Sequence, residues 1–303
     1  MAGIIQGLAA ICAVVAIGWL LRIRRIMSRE VIDALAQIVY WVATPALIFH
    51  TVSTSPLAGA IGKPLAVAAI SGCAVALIFS ILASISRMQR VERAVATMSS
   101  SVTNAAHIGI PVAAYVLGNT SAVAPVIIFQ LCFLTPFSFV MIDLAANKQK
   151  LSIGLATKMV FTNPMVIAVL LALAINAAQL PVPRLVSSLA DLLGSAAPAM
   201  VLLAFGASLK DMRPKELSWK TVSLVAACKE ALHPLLAWGA GTLLGLSGYA
   251  LLAVTVMAAM PSAQNCFVAA TRAKAGQQVA QGGIMVTTAL FVPAVVTIAA
   301  LLT

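Results

Sequence analysis

The sequence predicts an all-α membrane protein of ten transmembrane helices, built as two inverted five-helix repeats. Three observations predict it. Of 303 residues, 62% are hydrophobic and only 9% charged, whereas a soluble domain carries about 25% charged residues. Apolar stretches fill the chain with short connections between them, and each is near the roughly 20 residues that a helix needs to cross a bilayer. The basic residues sit in short clusters that recur after every second stretch.

The spans fall at residues 4–21, 31–53, 64–86, 92–117, 122–146, 160–179, 185–209, 218–244, 249–271 and 280–302. The first has no basic residue ahead of it and ends in Arg22, Arg24 and Arg25 rather than in a cleavage site, so it reads as a retained span and not a removed leader. The second and seventh contain Pro45 and Pro198, which predict kinks. Five cysteines are scattered singly through apolar stretches, without the spacing of a metal site or a disulfide framework. No cofactor is expected, because the Met and Phe residues read as packing or lipid-facing groups.

The formal net charge is +11, from 19 Lys and Arg against 8 Asp and Glu. Its distribution argues against a nucleic-acid partner. Arg22, Arg24, Arg25 and Arg29 follow the first span, and Arg87, Arg90 and Arg93 the third. Lys148, Lys150 and Lys158 follow the fifth, Lys210, Arg213, Lys215 and Lys220 the seventh, and Arg272 and Lys274 the ninth. Only Lys63 and Arg184 fall on the opposite side, and Lys229 lies inside a span. Loops rich in Lys and Arg stay cytoplasmic, so both termini are expected outside. An odd number of spans per half then inserts residues 151–303 upside-down relative to residues 1–150. Ala43-Thr-Pro-Ala-Leu-Ile48 resembles Ala196-Ala-Pro-Ala-Met-Val201, and Phe133-Leu-Thr-Pro136 resembles Leu290-Phe-Val-Pro293. These similarities set the fourth span opposite the ninth.

Both of those spans are interrupted. The first reads Ser99-Ser-Ser-Val-Thr-Asn-Ala-Ala-His-Ile-Gly-Ile-Pro111, the second Met260-Pro-Ser-Ala-Gln-Asn-Cys-Phe267. Backbone freed in a membrane must be buried in protein or line a wet cavity, and paired interruptions point to a binding site at the midplane. A half-helix starting at such a break aims its N–H groups at the midplane, which suits a carboxylate. Asn104 on the first break, and Gln264 and Asn265 beside Pro261 on the second, supply neutral donors and acceptors. A kinked packing helix explains the first break taken alone, and helix–helix hydrogen bonding the second; their pairing is what favours a site.

Lys229, Glu230 and His233 lie on the eighth span. Lys229 and His233 are four apart and share a face, with Glu230 pointing elsewhere. An intramembrane lysine is a functional candidate; a fixed ion pair or a snorkelling chain is the alternative. Asn163-Pro164 reads as the capped start of the sixth span, and Asp143 and Asp191 as interfacial. Gln130 faces either the site or a neighbouring helix. No phosphate-binding Gly-rich loop, His-Glu-x-x-His or Gly-x-Ser-x-Gly occurs, so ATP drive and the common hydrolase templates are not expected.

Together these residues resemble the auxin efflux carrier family, which includes plant auxin exporters and bacterial malate or malonate permeases. The resemblance rests on Asn104-Ala-Ala-His-Ile-Gly-Ile-Pro111, Asn163-Pro164, Asp191-Leu-Leu-Gly-Ser-Ala-Ala-Pro198 through Gly206-Ala-Ser-Leu209, and Lys229 through His233-Pro234. It implies spans four and nine crossing at their prolines. It also implies a scaffold of spans 1, 2, 6 and 7 and a transport unit of spans 3–5 and 8–10. The implied activity is secondary transport of a small organic anion, a mono- or dicarboxylate, across the bacterial inner membrane; plant relatives are dimers. Carried over residue by residue, the site comprises Asn104, Pro111 and Pro261, with Asn163 and Lys229. Ser262-Ala-Gln-Asn265 departs from the plant pattern, and the loop after the fifth span is short, which sets auxin specificity apart. The competing expectations are a sodium- or proton-coupled symporter or exchanger of bile-acid type and, from another class, an intramembrane enzyme or a sensor.

Overall fold

The computed structural model describes residues 2–54, 62–146, 162–211 and 217–302. The side chains of His107 and Pro111, and the loop residues Lys148, Lys150, Lys158, Arg213 and Lys215, lie outside the described residues. The described chain is helical, and its one β feature is an isolated bridge. The helices are α1 (Ala2–Ile23), α2 (Arg29–Thr54), α3 (Lys63–Ile85), α4 (Arg90–Ser101), α5 (Ile110–Tyr115) and α6 (Ser121–Ala146). There follow α7 (Pro164–Ala177), α8 (Arg184–Leu209), α9 (Trp219–Ala227), α10 (His233–Leu243), α11 (Gly248–Ala258), α12 (Asn265–Ala273) and α13 (Gln277–Leu302).

Helices α2, α3, α6, α8 and α13 are each long and apolar enough to cross a membrane, while α7 and α11 are shorter apolar helices. Their outward faces, with that of α10, carry Leu77, Leu192, Leu235 and Leu243, all well exposed, which suits a lipid solvent. The polar α4 is different. It ends in Ser99, Ser100 and Ser101, all buried, with each hydroxyl returned to a carbonyl three or four residues back. Such a helix belongs inside protein, not against lipid. Helix starts are set by ordinary local chemistry. Pro64 and Pro164 occupy the first turns of α3 and α7. The Asn163 Oδ1 accepts from the Met165 and Val166 N–H groups at 2.9 and 3.4 Å, capping α7.

A π-helical turn stands two residues before each of four prolines. The turns are Val39–Ala43, Ala105–Gly109, Gln130–Leu134 and Cys228–Leu232, ahead of Pro45, Pro111, Pro136 and Pro234. Proline lacks an N–H and collides with the carbonyl four residues back. The turn ahead of each proline is one residue wider than an α-turn, closed by the i→i−5 bonds that Thr44 makes to Val39, Gly109 to Asn104, Thr135 to Gln130 and His233 to Cys228. The expected kink at Pro45 thus takes the form of a π-bulge, a device that recurs at functional sites. Pro198, by contrast, sits within continuous α8.

α1 and α8 meet backbone to backbone. A Cβ on Gly18 would collide with the Leu203 carbonyl, and one on Gly206 with the Val15 carbonyl. Reciprocal small residues of this kind let membrane helices approach closely. Gly206→Ala is therefore expected to lower the melting temperature of the purified protein. Gly239→Ala, where the added methyl meets nothing within 4 Å, should leave it level or raise it, since alanine favours helix by about 1 kcal/mol. Equal melting temperatures for the two variants would contradict this packing.

Candidate binding site

The two interruptions meet. After α4 the chain turns extended at Val102, and Thr103 forms an antiparallel bridge with Ser262, which lies between α11 and α12. The Asn104 N–H donates to the Pro261 carbonyl at 2.7 Å, and the Ala263 N–H to the Val102 carbonyl at 3.1 Å. Two helix breaks that would each expose backbone in a membrane, at several kcal/mol per unmet group, satisfy one another. Pro261 ends α11, because the residue before a proline is pushed out of helical geometry. The first break does not lie at its proline. It precedes Pro111 and occupies residues 102–104, with the π turn Ala105–Gly109 standing between the break and the proline.

The N–H groups of Thr103 and Ser262, which face away from the bridge, are each met by a side chain from a distant helix. Gln130 on α6 accepts from the Thr103 N–H at 2.6 Å and returns a hydrogen bond to the Thr103 hydroxyl at 2.6 Å. Thr287 on α13 accepts from the Ser262 N–H at 3.1 Å, while the Ser262 hydroxyl donates to the Ser99 carbonyl at 2.5 Å. Thr103, Asn104, Gln130, Ser262, Gln264 and Thr287 are all buried, so the crossing is a hydrogen-bonded polar knot within an apolar bundle.

Beside the knot lies a cavity of about 230 Å³. Asn104, Gln264 and Asn265 line it together with Thr44, Thr51, Thr103, Gln130, Thr135 and the Pro198 region of α8, and among the described residues its lining holds no charged side chain. α12 begins at Asn265, with the Cys266 and Phe267 N–H groups bonded to the Ala263 and Gln264 carbonyls at 3.1 and 2.9 Å, so what the helix brings to this wall is the positive end of its dipole. The cavity offers amides, hydroxyls and a helix N-terminus.

Of the residues singled out from the sequence, Asn104, Gln264 and Asn265 come together on the cavity wall. Pro261 contributes its carbonyl to the bridge, and Asn163 caps α7 away from the lining. Lys229 lies behind the knot. It is fully buried, donates to the Ala258 carbonyl at the end of α11 at 2.7 Å, and stands 3.1 Å from His233 Nδ1. The oxygens of Glu230 have no hydrogen-bond partner among the described residues, so Lys229 spans helices through a carbonyl rather than pairing with its neighbour. Asp143 is engaged by Arg272 at 3.3 Å, with the guanidinium stacked on the Tyr40 ring, and Asp191 lies 3.7 Å from His50. Gln130, Thr103 and Thr287 are the site residues least visible in the sequence; a glutamine six residues before Pro136 in an apolar span is the only signal.

The chain belongs to the membrane transport protein family, whose sequence pattern matches residues 4–299 and which takes in the auxin efflux carriers. It is similar to a protein of Rhizobium meliloti (strain 1021) named "Putative malonate transporter", with 27% identity over 277 residues, 88% of this chain and 85% of that protein. With its apolar helices, this membership makes it an integral membrane protein that transports rather than catalyses.

Proposed function

We propose that this protein is a secondary carrier of a small organic anion, a mono- or dicarboxylate such as malonate or malate, and that it binds the anion in the cavity beside the Thr103–Ser262 bridge. The observation that carries this reading is the cavity itself: four amides and the α12 N-terminus converge on a space of about 230 Å³, below the roughly 300–1,000 Å³ that drug-sized ligands occupy. Neutral donors and a helix N-terminus hold a carboxylate without a fixed cation. The similarity to the Rhizobium protein favours malonate as the first substrate to try.

In this reading the chain forms ten spans in two inverted repeats, residues 1–150 and 151–303. The support from α6 to the first break, 27 residues away, and from α13 to the second, 25 residues away, is the kind of correspondence two repeats produce. The scaffold comprises spans 1, 2, 6 and 7, and the remaining spans rock against it to expose the cavity alternately. Both termini lie outside, the basic loops face the cytoplasm, and the inner membrane is the location. A homodimer follows the plant relatives.

Uptake of labelled malonate into proteoliposomes tests the assignment. Asn104→Ala and Gln264→Ala are each expected to cut uptake more than tenfold at subsaturating substrate, because each removes an amide from the wall. Unchanged uptake in both variants would remove the cavity from the transport path.

A further inference from the structure

A second, larger chamber of about 750 Å³ opens at the end of the molecule that carries the basic loops. Arg22, Arg29, Lys210 and Lys274 line it together with Asp33 and Asp211, and Arg22 is held by Asp211 at 2.7 Å. Two helices run from the central cavity into this chamber. On α8, Val201 and Leu202 line the cavity and Ser208 lines the chamber; those six residues span only about 9 Å. On α12, Asn265 lines the cavity and Phe267 the chamber.

Between the two spaces stand Phe205 and Phe267. Both are buried, and their rings meet edge to face with centroids 5.8 Å apart. Beneath them Gln281 donates to the Ser208 hydroxyl at 2.6 Å, tying α13 to α8. An aromatic pair backed by one hydrogen bond is a thin wall. The charge pattern differs across it, with four cations and two carboxylates on the chamber side and no charged side chain among the described residues of the cavity lining.

We propose that the basic chamber is the antechamber in which the anion collects on the cytoplasmic side, and that the Phe205–Phe267 pair is the barrier separating it from the central site. The inference rests on the transport reading and on the orientation given by the basic loops. With four cations against two carboxylates the lining is net positive, and a chamber of net positive potential raises the local concentration of anions, while the apolar rings admit no hydrated carboxylate until α8 and α12 part. All five cysteines are free thiols and can be replaced to give a cysteine-less background.

Leu202→Cys then reports on the cavity and Gln278→Cys on the chamber, each probed with an anionic methanethiosulfonate reagent in inside-out and right-side-out vesicles. The expected result from the inside-out face is rapid labelling of Gln278→Cys in every background. Leu202→Cys should label slowly, and at least tenfold faster once Phe267→Ala or the milder Phe267→Leu is added. Lys210→Gln with Lys274→Gln should raise the apparent KM for malonate supplied from that face severalfold at low salt, with kcat held. Leu202→Cys labelling that is already as fast as Gln278→Cys, or that neither Phe267 variant alters, would overturn the barrier. An unchanged KM would overturn the antechamber. Malonate uptake measured in the same vesicles separates the barrier from the substrate: loss of all malonate transport with the labelling pattern intact counts against the substrate reading and not against the barrier.

Discussion

Gln130→Glu is expected to suppress malonate uptake more than tenfold in a protein that still folds. The substitution keeps the shape of the side chain and an oxygen to accept from the Thr103 N–H, which Gln130 now does at 2.6 Å. Its other oxygen can accept from the Thr103 hydroxyl in place of the present donation. What changes is the charge in a cavity whose described lining has none. Two like charges about 4 Å apart repel by roughly 4 kcal/mol at an effective dielectric of about 20, well beyond tenfold in affinity. Gln130→Leu makes the complementary case: it leaves the buried Thr103 N–H unmet, at about 1–3 kcal/mol, and should lower the melting temperature. Malonate uptake by proteoliposomes and a melting curve in detergent separate the two effects. Wild-type uptake by Gln130→Glu would show that the anion does not pass Gln130.

The second large effect is expected at Lys229. Its ammonium closes the end of α11 by donating to the Ala258 carbonyl, three residues before Pro261, where the helix leaves carbonyls without intrahelical partners. A hydrogen bond from a charged donor contributes about 1.5–3 kcal/mol. Positive charge at a helix C-terminus is favourable, and the same charge behind the knot raises the potential at the cavity. Lys229→Met should lower the melting temperature and uptake together, with Lys229→Gln intermediate in stability because its amide can still donate. The order wild type, Gln, Met in melting temperature checks the clamp. If Lys229→Met melts with the wild type and transports normally, Lys229 has neither role.

What can be read from the sequence divides along physical lines. Local signals carry well. Pro261 ends its helix, Asn163 caps another, and the four-residue spacing of Lys229 and His233 places them 3.1 Å apart on one face. The pairing of the two breaks is legible as well, because polar residues in an apolar span need partners and each break offers the other a set. The position of the first break is not. Pro111 draws the eye, but a π turn accommodates it and the chain opens at residues 102–104 instead. The supports from Gln130 and Thr287 are not legible either. They act across 27 and 25 residues, and no local pattern states which polar side chain of one helix meets which N–H of another. Ala258 as the partner of Lys229 is the same case, 29 residues distant. The glycine contacts between α1 and α8 likewise depend on two helices far apart in the chain meeting in one register.

The position of bound substrate tests the central claim most directly. A structure of the protein in nanodiscs saturated with malonate should show the anion in the cavity beside the Thr103–Ser262 bridge. Its carboxylates should lie within hydrogen-bond distance of Asn104 and of the Gln264–Asn265 end of α12. Malonate held against Lys229 behind the bridge, or resting solely in the basic chamber while the cavity stays empty at saturation, would contradict it.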